Sequence, residues 1–150
     1  MIKGRPPRLT RIFDTYDCPL YFVTASTLDR RPFPLLPNAH KAFVEYARRA
    51  ETLHIAVGRY VLMPDHMHLF VCGRREFVLS EWIKGLKRCV SSALRSDGSP
   101  FRWQPGFFDH LLRNDESYAQ KWNYVRENPV RAGLVKRAED WPYAGEIVYI

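Results

Sequence analysis

Two pairs of side chains in this chain have the types and spacing to do chemistry. His66 and His68 flank Met67 in the run Met63-Pro64-Asp65-His66-Met67-His68-Leu69. On a β-strand, residues i and i+2 point to the same face, so both imidazoles would project together while Met67 turns to the core. Side chains so placed, ~7 Å apart along the strand, can grip one metal ion, though at least one further ligand is needed for a catalytic geometry with open positions. The second pair is Tyr124 and Asn128, four residues apart and therefore on one face if the segment is a single helix. A tyrosine oxygen is a usable nucleophile toward a phosphodiester. A phenol is neutral in water, so nearby cationic charge must help its proton leave. A metal at the histidines would act by polarising the phosphate, with Asn128 as a neutral oxygen ligand one turn from the nucleophile. Tyr118 competes with Tyr124, but it precedes it by six residues, about 120° round a helix at ~100° per residue. Both cannot face one metal, and only Tyr124 has a ligand type at i+4.

Each pair alone has an ordinary explanation. An HxH pair is commonly a surface or core-edge feature, Tyr124 could be a core aromatic, and Asn128 could simply end a helix before Pro129. The elements that would position the pairs give them context. Residues 21–27 are β-branched and aromatic and predict a first strand. Asn38 is placed to cap a helix running to about Thr52, with Ala42, Phe43, Tyr46 and Ala47 as its apolar face. Residues 54–63 and 66–71 predict two strands joined by a Pro64-Asp65 turn. Ser80 opens a second helix to about Arg95, with Ile83, Leu86, Val90 and Leu94 as its core stripe. Residues 101–104 and 107–113 predict a last strand kinked at Pro105-Gly106. A third helix runs from Asp115 to near Asn128, where Pro129 stops it, and an irregular tail follows. The order β-α-β-β-α-β-α predicts an α+β protein with a ferredoxin-like antiparallel sheet, the split βαβ arrangement. Two helices would cover one face and leave the other open, with a C-terminal tyrosine-bearing helix beside it.

Length and composition set the frame. The 150 residues, 46% hydrophobic, suit one core, predicted to lie in a single domain over residues 19–150 preceded by a basic arm over residues 1–18. No apolar run approaches the ~18–20 residues of a membrane span. The charged N-terminus has no apolar stretch after it, which argues against a secretory signal and for a cytoplasmic protein. Three cysteines without CxxC spacing support neither a disulfide framework nor a zinc knuckle. A net charge of +7 is typical of domains that meet a polyanion, and membrane is the least favoured partner. Lys84, Lys87, Arg88, Ser91 and Arg95 form a basic stripe on the second helix, either a solvated face or a phosphate contact. Arg113, Lys121, Arg126 and Arg131 add charge near Tyr124. Arg5, within Gly4-Arg5-Pro6, could reach a minor groove. Trp103, Phe107 and Phe108 could stack unpaired bases or fill the core.

Taken in order, several blocks resemble the REP-associated tyrosine transposases, single-tyrosine relatives of the insertion-sequence transposases. Tyr60 to Val71 resembles the family's HUH segment, Phe108 to Arg113 a second block, Tyr124 to Val135 a third, and Trp141-Pro142-Tyr143-Ala144 the closing motif. The resemblance runs from about Tyr21 to the C-terminus. It implies a ferredoxin-like fold with the HUH strand central and Mg²⁺ or Mn²⁺ held by His66, His68 and Asn128. It further implies attack by Tyr124 on single-stranded DNA near a small hairpin, leaving a 5′-phosphotyrosine and a free 3′-hydroxyl that can reverse the step and join new ends. His110 belongs to the second block, as a contact to a ligand residue or to DNA. Related insertion-sequence enzymes commonly carry glutamine where Asn128 stands; asparagine is one methylene shorter and presents the same amide oxygen. Those relatives also form dimers that exchange the tyrosine helix, so the resemblance allows a homodimer. Two other readings stay open: a hairpin-DNA binding protein without turnover, and a ferredoxin-like RNA-binding module. The latter expects solvent-facing aromatics on the central strands, where His66 and His68 stand instead.

Overall fold

A computed structural model describes residues 20–95, 100–112 and 115–149. The basic arm with Arg5, and Arg113, lie outside the described residues. Strands β1 (Leu20–Ser26), β2 (Ile55–Met63), β3 (His66–Gly73), β4 (Phe108–Leu112) and β5 (Ala144–Glu146) form one antiparallel sheet in the order β4-β1-β3-β2-β5. Helix α1 (Leu36–Ala50) connects β1 to β2, and α2 (Leu79–Arg95) connects β3 to β4. The first six elements therefore follow the expected split βαβ path, with the histidine strand at the centre of the sheet.

Strand alternation divides the core in two. On one face, Val23, Ala25, Met67, Leu69 and Val71 pack under Phe43 and Ala47 of α1 and Ile83, Leu86 and Val90 of α2. On the other, Phe22, Val61, Phe70, Cys72 and Leu112 meet Tyr118 and Val125 of helix α3 (Asp115–Val125). The second face is thus partly roofed by the tyrosine helix, where the sequence predicted an open surface. Tyr118 anchors that roof: its ring lies 4.5 Å from Phe70 and is 4% exposed. The Arg59 guanidinium sits 5.7 Å from the Tyr118 ring and 5.5 Å from the Trp122 ring, and it pairs with Glu146 at 3.1 Å.

Four boundaries differ from expectation, each for a local reason. Helix α1 starts at Leu36 rather than after Asn38, because Pro37 occupies the first turn, where its fixed φ suits a helix; it ends at Ala50. Residues 101–104 form no strand. Trp103 makes one isolated bridge to Thr27, and its indole N–H turns away to the Lys87 carbonyl oxygen at 3.0 Å. Helix α3 ends at Val125, and Asn128 opens a separate one-turn helix α4 (Asn128–Arg131). Pro129 lacks the N–H that would reach the Val125 carbonyl, and its ring clashes with that oxygen. Finally, the predicted irregular tail supplies β5, which pairs with β2 beyond a register shift between Val57 and Tyr60. Gly145 is required there, because a Cβ would meet the Tyr60 hydroxyl at 2.9 Å. No helix among the described residues is long and apolar enough to cross a membrane.

Candidate metal centre and tyrosine

His66 and His68 leave β3 on the face roofed by α3, their rings 4.7 Å apart and nearly perpendicular at 82°. Each Nδ1 is held. Thr24 stands directly across β1 from His68, and its Oγ1 lies 2.8 Å from His68 Nδ1. Asp65 Oδ1 lies 2.6 Å from His66 Nδ1. A carboxylate only accepts, so His66 donates Nδ1–H and keeps its lone pair on Nε2. The Asp65 carboxylate is itself fixed by Arg30, with Nε to Oδ2 at 3.0 Å and Nη2 to Oδ1 at 3.4 Å. The Asp65 carbonyl accepts from the Thr27 N–H and Oγ1, both at 3.0 Å, so the turn preceding the histidines is tied to the end of β1. Arg30 reaches this place from a left-handed backbone, φ 57°, next to Asp29 at 54°. Such strain in consecutive non-glycine residues costs energy, which the ion pair helps to offset.

Partners that orient a ligating histidine in this way fix ring and tautomer. The charge state suits ligation as well. Burial holds His66 below the ordinary histidine range, against the opposing pull of Asp65. Burial pushes His68 down to about 3, with the positive charges of His66, Arg30, Lys121 and Arg131 adding to the shift. For Asp65, burial alone would raise the carboxyl, but the Arg30 and His66 bonds outweigh it and hold it low. Both imidazoles are therefore neutral at neutral pH, the form that binds metal. Among the described residues, no third His, Cys, Asp or Glu completes a metal cluster with them.

The folded His68 resists the proton that an unfolded histidine accepts near pH ~6.5. Between that value and about 3 the unfolded chain binds more protons, so stability falls as the pH drops through this window. Denaturation in chelator should therefore show a loss that begins near pH ~6.5, above the carboxylate range, and His68→Gln should reduce it. Equal stability of the wild type at about pH 7 and about pH 5 would contradict this.

Tyr124 lies on α3 with 65% of its surface exposed. The Arg131 guanidinium covers its ring at 3.9 Å and donates from Nη2 to the Tyr124 carbonyl oxygen at 2.7 Å. The same Nη2 donates to Asn128 Oδ1. Nucleophile candidate and ligand candidate are thus joined by an arginine across the break between α3 and α4, rather than by one continuous helix. Tyr124 also borders a shallow depression with His110, Ser117, Gln120 and Lys121. Lys121 Nζ stands 5.2 Å from the Phe22 ring, and Phe22 stacks on His68 at 5.4 Å. Lys121 and Arg131 are both close enough to act on the charge of His68, which links the tyrosine segment to the imidazoles electrostatically. Tyr118, by contrast, is held in the core, and burial raises its hydroxyl far above the ordinary tyrosine range.

The other predicted residues divide. His110 is exposed on β4, across from Phe22, and joins the Tyr124 depression. Lys84, Arg88 and Arg95 are exposed on α2, on the opposite side of the sheet from the imidazoles. Lys87 is not a solvated cation: its Nζ donates to the carbonyls of Gln104 (3.0 Å) and Gly106. Arg126 pairs with Glu139 at 3.3 Å. Thr24, Asp65 and Arg30 join the imidazoles without a site role expected from the sequence, whereas Lys121 is expected there only as charge near Tyr124. Asp65 carries a usable signal, a carboxylate adjoining the HxH pair, beyond its part in the predicted Pro64-Asp65 turn.

Fold and site together define a protein with paired imidazoles on a central strand beside a helix-borne tyrosine. The family described as Transposase IS200 like matches residues 33–128, and the chain belongs to that family. It is similar to a REP-associated tyrosine transposase of Escherichia coli K12, 33% identical over 91 residues that cover 59% of this chain and 52% of that protein. The match thus spans about half the length of that relative. A Haemophilus influenzae protein described as a candidate REP-associated tyrosine transposase is 27% identical over 139 residues, covering 83% of this chain and 78% of that protein. A solved structure of a REP-associated tyrosine transposase bound to a REP hairpin superposes with a TM-score of 0.70 at 25% identity, covering 84% of this chain and 75% of that one.

Proposed function

We propose that this chain is a divalent-metal-dependent endonuclease and strand transferase acting on single-stranded DNA beside small hairpins, in the cytoplasm. The observation that carries the reading is the pair of neutral imidazoles with both Nδ1 atoms held by fixed partners. His66 and His68 would hold Mg²⁺ or Mn²⁺, with the Asn128 amide oxygen as third protein ligand once Arg131 releases it. The bound ion would polarise the scissile phosphate and neutralise its charge. Tyr124 Oη attacks phosphorus, and its proton passes to solvent. The P–O3′ bond breaks, the 3′-oxygen takes a proton, and the DNA 5′-phosphate stays on tyrosine. Attack by a 3′-hydroxyl on that phosphotyrosine reverses the step or joins a new end, so no nucleotide cofactor is consumed. Arg131 and Lys121 supply the positive charge that favours both phenolate and phosphate.

The test uses a hairpin with single-stranded flanks, taken from the palindromes beside the encoding gene. With Mg²⁺ or Mn²⁺, the expected products are a free fragment with an extendable 3′-hydroxyl and a second fragment whose 5′ end is blocked by protein; chelator abolishes both. Tight binding without cleavage in either metal, over a panel of such hairpins, would instead establish a binding protein. The bond from Arg131 to Asn128 is the observation that favours that second reading.

A further inference from the structure

Phe108 is left 62% exposed on the same sheet face as the imidazoles. It pairs across β4 with Thr24, and Thr24 pairs across β1 with His68, so Phe108, Thr24 and His68 form one row of same-face side chains over three strands. With strands ~4.8 Å apart, that row sets the aromatic about 10 Å from the histidine strand. The neighbouring aromatics are used elsewhere: Trp103 and Phe107 pack against the helix-side core.

The loop that precedes Phe108 is built to stay in place. The Gln104 N–H donates to the Ser26 carbonyl at 2.9 Å, and the Leu28 N–H donates to the Arg102 carbonyl at 2.9 Å. Lys87 reaches through from α2 to the Gln104 and Gly106 carbonyls. Gly106 takes a left-handed φ of 76°, which lets the chain turn back into β4. The result is a fixed hollow lined by Thr24, Ser26, Gln104, Gly106 and Phe108. A single exposed aromatic needs no explanation by itself. Here the ring stands on an anchored loop, one strand beyond the partner of His68, on the face where Lys121 and Arg131 gather positive charge. An unpaired nucleobase has a π-face of matching size, and single strands are bound by aromatic stacking with cations along the backbone.

We infer that Phe108 is the stacking platform for the unpaired base adjoining the scissile phosphate, and that the hollow rimmed by Gln104 receives that base's edge. The inference rests on the proposed function for the position of the phosphate, and it adds the subsite for the flanking nucleotide.

Binding in chelator isolates this subsite from turnover. The probe is a labelled hairpin with a single-stranded flank, together with variants that carry an abasic residue at each flank position in turn, read by fluorescence anisotropy. Wild-type protein should lose affinity on the order of tenfold at one flank position. Phe108→Ala should lose a similar amount on intact DNA and be insensitive to the abasic residue at that position, while Phe108→Trp should restore the wild-type pattern. Unchanged affinity in Phe108→Ala overturns the inference. So does an equal loss at every position, or a loss accompanied by a change of oligomeric state in light scattering, which would make the exposed β4 edge an interface between copies. Binding with the predicted pattern but no cleavage in Mg²⁺ or Mn²⁺ would sink the enzymatic reading and leave the stacking subsite standing. Failure of the wild type to bind any flanked hairpin would overturn both.

Discussion

Tyr124→Phe is expected to abolish the covalent protein–DNA adduct while leaving DNA binding and fold nearly intact. The substitution removes one oxygen from a side chain that is 65% exposed, so stability should change by no more than about 0.5 kcal/mol. The phenyl ring keeps its stacking against Arg131, which lies 3.9 Å from the ring centroid. Cleavage should fall by on the order of 10⁴-fold or more, because no other group replaces a lost nucleophile. Tyr118→Phe is the informative partner. Its hydroxyl is buried, facing the Arg59 backbone N–H without meeting hydrogen-bond geometry, so its removal should be neutral or stabilising, with adduct formation unchanged. An adduct that survives in Tyr124→Phe and disappears in Tyr118→Phe would reverse the choice of nucleophile.

A second large effect is expected at the histidines, in graded form. His68→Ala deletes a ligand and should weaken Mn²⁺ binding by at least about 10²-fold, since one imidazole with a neutral amide makes a poor site. Thr24→Val keeps the shape of the strand but removes the group that fixes His68 Nδ1 at 2.8 Å. Loss of such an outer partner typically costs 10–100-fold in affinity or activity, so this variant should fall between wild type and His68→Ala. Calorimetric titration with Mn²⁺ reads both, and thermal denaturation separates a local loss from unfolding. Wild-type affinity in His68→Ala would remove the imidazoles from the metal site. Wild-type affinity in Thr24→Val alone would confine Thr24 to packing.

Features with a short repeat were legible in the sequence. The two-residue period of β3 put both imidazoles on one face, and the helical phase separated Tyr124 from Tyr118. The burial of Tyr118 and the exposure of Tyr124 agree with that separation. Pro129 correctly announced a helix end, but its effect falls four residues upstream at Val125, so the supposed single helix is two. What depends on pairing between distant segments was not legible. Thr24 becomes the partner of His68 only through the β1–β3 register. The three residues of β5 are too few to carry a period, and they pair at an irregular part of β2. Amphipathicity gave the basic stripe of α2 but not the side of the sheet on which it lies. Charge alone could not foresee that Lys87 holds two loop carbonyls.

Tyr124 is the residue expected to form the bond to DNA, and its bond can be read directly. Its most direct measurement is proteolysis and mass spectrometry of wild-type protein incubated with a flanked hairpin and Mn²⁺, then trimmed with nuclease. A nucleotide mass is expected on the peptide carrying Tyr124, joined through its phenolic oxygen and absent in chelator. A nucleotide on Tyr118 or on any other residue, or no adduct from a preparation that cleaves the strand, would contradict it.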